Sequence, residues 1–172
     1  MDSFMLYNKK TIPTALTITG GFTILKTQRR LTTEKYATIG GSMVHILICD
    51  DDAAFAQDMA KKIQALPAYS PKSMNVQLLT DVTAMSAGVL TKFDILFLDI
   101  DLGNKNGIEL ARIMREHNAE AVLILVTNFS EYAPEGYEVN AFRYLSKAEL
   151  DRKLPGYFSD ALAVCRTRKR KV

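Results

Sequence analysis

Four short apolar runs in this chain each end in polar residues whose types can do chemistry. Ile46-Leu47-Ile48-Cys49 is followed by Asp50-Asp51-Asp52, Leu96-Phe97-Leu98 by Asp99, Ile124-Leu125-Val126 by Thr127, and Tyr144-Leu145-Ser146 by Lys147. Three carboxylates brought within a few ångströms repel one another, and a divalent cation removes that penalty. Hard oxygen ligands select Mg²⁺, with Mn²⁺ as the alternative, over softer metals. A carboxylate beside such a metal can attack an activated phosphoryl group and form an acyl phosphate. A lysine ammonium and a threonine hydroxyl can neutralise and hydrogen-bond phosphoryl oxygens.

These residues act together only if the fold gathers them. From Val44 onward, apolar runs alternate with amphipathic stretches. Val44–Cys49, Asn75–Leu79, Asp94–Leu98, Ala121–Val126 and Phe142–Leu145 read as five strands. Ala53–Leu66 has helical spacing, with Phe55, Met59, Ile63 and Leu66 on one stripe. Val82–Leu90, Ile108–Glu116, Tyr132–Val139 and Glu149–Cys165 read as further helices, with Ile108, Ala111 and Ile113 expected to face inward. Gly103 to Gly107 is expected to be a turn. Strands alternating with helices imply βαβ units, hence an α/β domain with a doubly wound, five-stranded parallel sheet and helices on both faces. Ligands in such folds bind at the carboxyl ends of the strands. Asp50, Asp51, Asp99, Thr127 and Lys147 all follow or end a strand, so they should converge on one edge of the sheet.

Composition narrows the remaining classes. The net charge of +3 is a property of the ends. Residues 1–42 hold six Lys/Arg against two acids, residues 166–172 hold five basic residues and no acid, and residues 43–165 hold eleven basic against seventeen acidic residues. A basic body built to bind nucleic acid is not supported. No apolar run is long enough to span a bilayer as a helix. The two cysteines, Cys49 and Cys165, lie far apart with no CxxC pattern, which reads as two buried thiols in a reducing cytoplasm. His45 and His117 have no second histidine nearby and do not read as metal ligands.

Taken singly, each residue has a plainer role. Asp50-Asp51-Asp52 is compatible with a solvated turn, Thr127 with a helix cap, Lys147 with a surface lysine and Tyr144 with the core. Asp99-Ile100-Asp101 after an apolar strand also fits the nucleophile motif of haloacid-dehalogenase-like phosphatases, where the second Asp is an acid/base. That family places the motif on its first strand and needs a further acidic pair downstream; here the pair is upstream. No GxxxxGK[ST] or GxGxxG nucleotide-binding motif occurs.

The four segments taken in order resemble the receiver domain of bacterial two-component response regulators. The spacing fits as well: 48 residues from Asp51 to Asp99, 28 more to Thr127 and 20 more to Lys147. Asn106-Gly107-Ile108-Glu109-Leu110-Ala111, and the stretch from Glu131-Tyr132-Ala133 to Phe142-Arg143-Tyr144-Leu145, are similar to the subfamily that precedes LytTR-type DNA-binding domains. The resemblance implies a flavodoxin-like, CheY-like fold with strand order 2-1-3-4-5, a signalling domain rather than an enzyme, and a cytoplasmic setting. It implies Asp99 as phosphoacceptor, Asp51 as a direct metal ligand and Asp50 as one acting through water. The backbone carbonyl of Asp101 completes the metal ligands; Thr127 and Lys147 contact the phosphoryl group, and Tyr144 is the aromatic that turns inward on activation. The implied donor is a phosphohistidine on a sensor histidine kinase, and the further partners are a second receiver or a downstream effector. A receiver that acts through protein contacts alone, without phosphorylation, is the alternative within the same family.

Three positions depart from the family pattern. Ala148 follows Lys147 where a proline in a cis bond is usual. A cis bond before alanine costs about 3 kcal/mol, so this loop is expected to be trans and to place Lys147 differently. Asn128 stands where a small residue is usual, which narrows access to the phosphoryl group, and Gly103 replaces a common proline.

The domain is expected to span residues 43–165. Residues 1–42 fall outside its pattern, with a small hairpin around Gly20-Gly21. Ile39-Gly40-Gly41-Ser42-Met43 can be encoded by a purine-rich ribosome-binding sequence before an ATG, so Met43 reads as the true start and residues 1–42 as a translated leader, with a fusion segment or a genuine extension as the alternative. Residues 166–172 read as a solvated basic linker, and no LytTR domain fits after Val172. The chain is therefore expected to be a stand-alone receiver or a truncated regulator that does not itself bind DNA.

Overall fold

The computed structural model describes residues 14–18, 22–26, 43–81, 91–103, 105–129 and 132–169. Its elements in chain order are β1 (Thr14–Ile18), β2 (Phe22–Lys26), β3 (Val44–Cys49), α1 (Ala53–Ala65), β4 (Met74–Leu79), β5 (Ile95–Leu98), β6 (Asp101–Leu102), β7 (Lys105–Asn106), α2 (Gly107–His117), β8 (Val122–Thr127), α3 (Ala133–Glu138), β9 (Arg143–Ser146) and α4 (Leu150–Lys169). A 3₁₀ turn, Lys147–Glu149, joins β9 to α4.

One sheet runs in the order β1-β2-β4-β3-β5-β8-β9. Its last five members pair in parallel, so β4-β3-β5-β8-β9 is the expected order 2-1-3-4-5. β1 and β2 form an antiparallel hairpin at the expected place, and β2 joins β4 in parallel through Thr23↔Gln77 and Ile24↔Leu78. Gly20-Gly21 and the expected helix Val82–Leu90 lie outside the described residues.

Every residue of β5 and β8 is buried, as the central strands of a parallel sheet covered on both faces must be. Alternation along β3 divides the core. Val44, Ile46 and Ile48 face α1 and α4; Leu47 and Cys49 face α2. α1 buries Ala56, Met59, Ala60 and Ile63, and α4 buries Leu150, Leu154, Phe158, Ala161, Leu162 and Cys165, each set at helical spacing. Asp52 caps α1 by accepting from the Ala54 and Phe55 amides, and Asn106 caps α2 by accepting from the Ile108 amide.

Three local expectations are corrected. Ile113 is 43% exposed, because the buried stripe of α2 runs through Ile108, Ala111 and Met114 and position 113 is turned off it. Of the expected turn Gly103 to Gly107, Gly103 is a turn residue, Lys105–Asn106 is the strand β7 paired antiparallel with β6, and Gly107 already opens α2. The last helix runs past Cys165 to Lys169, so Arg166–Lys169 is helical rather than a linker. Its end is tied down: Arg168 bonds the Glu120 carbonyl, and Lys169 Nζ lies 2.9 Å from Asp94 Oδ2 and 2.5 Å from the Met43 carbonyl.

Gly107 opens α2 where the helix crosses the backbone of Asp99. A Cβ there would sit 2.0 Å from the Asp99 carbonyl oxygen and 2.8 Å from Ile100 Cα. The Gly107 amide also donates to the Ile100 carbonyl at 2.7 Å. Gly107→Ala is therefore expected to lower stability by about 1–3 kcal/mol, read by urea unfolding. An unchanged midpoint would contradict this close approach.

Candidate functional site

Asp50 and Asp99 are held by the sheet itself. The Asp50 amide donates to the Leu79 carbonyl at 3.1 Å, and the Asp99 amide to the Cys49 carbonyl at 2.9 Å. The ladder thus continues one residue past β3 and β5, the neighbouring strands at which the winding direction reverses. Asp51 follows on the exposed side. Asp50, Asp51 and Asp99 each bring a carboxylate oxygen into a group spanning no more than 4.8 Å.

Lys147 arrives from the far edge strand. β9 pairs with β8 in a register that sets Ser146 beside Thr127, so the next residue, Lys147, emerges at the same edge. Its Nζ lies 2.7 Å from Asp50 Oδ2 and 2.6 Å from Asp99 Oδ2. The described residues contain no cis peptide bond, so Lys147–Ala148 is trans as expected. The expected displacement of Lys147 does not follow, because the 3₁₀ turn still delivers the ammonium to both carboxylates.

The second oxygen of each buried carboxylate is also occupied. Asp99 Oδ1 accepts from the Ile100 amide at 2.7 Å and the Asp101 amide at 3.3 Å. Asp50 Oδ1 accepts from the Asp52 amide at 2.9 Å. Thr127, the last residue of β8, is buried, and its Oγ1 accepts from the Phe129 amide at 3.3 Å. Tyr144 is half-buried, and its hydroxyl donates to the Phe129 carbonyl, so Thr127 and Tyr144 grip the same residue. The Asp101 side chain is exposed. Asn128 is exposed as well. Gly103, at φ +67°, takes the left-handed conformation that glycine tolerates; a Cβ there would sit 3.4 Å from Asp51 Oδ2. An open cleft of about 400 Å³ lies beside the cluster, lined in part by Asp101, Gly103, Phe129 and Tyr132. A larger cavity of about 610 Å³ lies at the opposite end of the sheet, beside Asp94 and Cys165, and touches none of the five residues.

Burial pushes the Asp50 carboxyl up to about 6, against the lowering pull of the Lys147 ammonium. Burial alone would lower Lys147; its hydrogen bonds to Asp50 and Asp99 outweigh that and raise it. Cys49 is buried beside Asp50, and burial first, then the charges of Asp50, Asp99 and Asp51, push its thiol far up. It is no nucleophile at neutral pH. The donor set is all oxygen, partly exposed and too acidic for one lysine to neutralise, which suits a hard divalent cation.

The sequence places Phe55 only on the apolar stripe of a helix. Its ring lies under the Lys147 ammonium, 4.3 Å from centroid to Nζ. Spacing carries no signal for this contact, since the two residues meet only through the fold.

The response regulator receiver domain family matches this chain over residues 46–157. Sensory transduction protein LytT of Bacillus subtilis (strain 168) is 26% identical over 106 residues, covering 61% of this chain and 42% of LytT. Transcriptional regulatory protein LytR of Staphylococcus aureus (strain N315) is 33% identical over 103 residues, covering 59% of this chain and 40% of LytR. The chain thus matches less than half the length of these relatives. Among solved structures, a CheY-like receiver domain protein from Methanospirillum hungatei JF-1 superposes with a TM-score of 0.62 at 20% identity, covering 74% of this chain and 99% of that one. The response regulatory domain of mrkE from Klebsiella pneumoniae gives 0.59 at 18% identity, covering 72% of this chain and 99% of that one. These two likenesses speak for the fold.

Lys147 is the cation that lets two buried carboxylates share one corner. Lys147→Met is expected to destabilise the metal-free protein by about 3–5 kcal/mol at neutral pH, with part recovered when Asp50→Asn is added. Urea unfolding of the single and double variants reads this directly. A Lys147→Met protein that unfolds like the wild type would contradict the pairing.

Proposed function

This chain belongs to the response regulator receiver domain family, and on that premise we propose that Asp99 is its phosphoacceptor, charged by a phosphohistidine of a sensor histidine kinase. The observation that carries the reading is the single ammonium of Lys147 within 2.7 Å of Asp50 and 2.6 Å of Asp99, at the carboxyl ends of adjacent strands. The phosphatase reading has no support beside this family match.

In this reading the Asp99 Oδ1–amide bonds fix the carboxylate plane and leave Oδ2 as the attacking oxygen. An O–P bond forms at Oδ2 as the P–N bond to the donor imidazole breaks, and the imidazole nitrogen keeps that electron pair. Lys147 then follows the charge from the carboxylate to the phosphoryl oxygens, and the Thr127 hydroxyl offers a hydrogen bond from the next strand. Asp50, Asp51, Asp99 and the backbone carbonyl of Asp101 are the groups that would hold Mg²⁺, or Mn²⁺ in its place. When bound, the ion neutralises the crowded oxygens and orients the incoming phosphoryl group. Tyr144, bonded to the Phe129 carbonyl, is the aromatic positioned to respond when the Thr127 segment shifts.

Downstream, the reading admits a second receiver or a separate effector as partner. The relatives named LytT and LytR are a sensory transduction protein and a transcriptional regulatory protein, and a role for this chain in such control is part of the proposal. The cytoplasm is the setting that fits a histidine-kinase donor and two free, buried cysteines. No helix among the described residues is long and apolar enough to cross a membrane.

The test is Mg²⁺-dependent labelling by acetyl phosphate. The wild type is expected to take up label and Asp99→Ala to take up none. A folded wild type that stays unlabelled would favour a receiver acting through protein contacts alone; label surviving in Asp99→Ala would move the site. A second expectation concerns pH. A cation needs Asp50 ionised, so Mg²⁺ affinity should fall by about tenfold per unit as the pH drops below about 6. Calorimetric titration across that range measures it, and a flat affinity would contradict the role given to Asp50.

A further inference from the structure

We infer that Phe55 is a positioning residue for phosphoryl transfer: its ring holds the Lys147 ammonium at the site when the carboxylates release it. The inference rests on the phosphoacceptor reading and deepens it. Lys147 has three close neighbours at its charged end: Asp50 Oδ2, Asp99 Oδ2 and the Phe55 ring face, 4.3 Å from Nζ. The two carboxylate contacts change during the reaction. Once Asp99 Oδ2 carries phosphorus, it no longer offers a full charge, and a divalent cation competes for Asp50. The ring contact depends on neither, because its attraction comes from the aromatic quadrupole.

The chain fixes this ring by two devices. Asp52, the third acid of the run, turns away from the cluster and caps α1, accepting from the Ala54 amide at 2.9 Å and the Phe55 amide at 3.0 Å. Phe55 also packs, half-buried, against the core face shared by α1 and α4. On the other side, Lys147 starts the 3₁₀ turn that Glu149 braces through Arg152 and Lys153. The lysine stem has free torsions, so the ring restricts where its head can rest.

The test compares Phe55→Leu, which keeps apolar bulk without a π face, with Phe55→Tyr, which keeps the ring. Acetyl phosphate labelling in Mg²⁺ should slow by roughly 2- to 30-fold in Phe55→Leu and stay within about twofold of wild type in Phe55→Tyr. Nuclear magnetic resonance of lysine-labelled protein gives a readout that needs no phosphorylation. Ring current should shift the Lys147 ε-CH₂ protons upfield in wild type and Phe55→Tyr, and Phe55→Leu should abolish the shift. Labelling of Phe55→Leu at the wild-type rate, equal loss in both variants, or no upfield shift in the wild type would overturn the inference. A wild type that shows the shift but takes no label would overturn the phosphoacceptor reading, and with it the role of the ring but not the contact.

Discussion

The site depends on one electrostatic constraint. Two aspartates, each almost fully buried at the end of an adjacent central strand, must coexist in one corner. Their neighbouring backbones leave no room to separate them, since both amides are still locked in the ladder. Unpaired, such charges cost several kcal/mol each. One lysine from the far edge of the sheet, bonded to both, makes the arrangement tolerable. With Asp51 beside them the cluster still carries excess negative charge, which suits a hard divalent cation.

The rest of the fold serves that corner. β8 and β9 bring Thr127 and Lys147 to the same edge through one register, in which Thr127 lies beside Ser146. α2 starts on a glycine because its first turn crosses the backbone of Asp99, and the small strands β6 and β7 close the loop between them. α1 begins on the third aspartate of the run, which serves as a helix cap instead of a ligand. A chain of short-range demands thus links the core to the site.

Much of this is legible in the sequence. Strand and helix order follow from hydrophobic period, and the polar residues after four of the five strands are Asp50 and Asp51, Asp99, Thr127 and Lys147. What period could not supply was contact across the fold. Ile113 looked apolar and inward but sits off the buried stripe of α2. The basic end of the chain looked like a linker, yet Arg168 and Lys169 find Glu120, Asp94 and the Met43 carbonyl and extend the helix. Ala148 after Lys147 is expected to displace the lysine, whereas the 3₁₀ turn delivers its ammonium to Asp50 and Asp99. Such errors share a cause: local pattern reports the face of an element, not what the opposite element offers.

The central claim is that the carboxylate between Lys147 and the Ile100 amide forms the acyl phosphate. Borohydride trapping tests it at the level of the atom, because hydride reduces an aspartyl phosphate to homoserine and leaves a free carboxylate untouched. After phosphorylation, reduction and peptide mapping, homoserine is expected at position 99 and at no other aspartate. Homoserine at position 50, 51 or 101, or none in a protein that has taken up phosphate, would contradict the account.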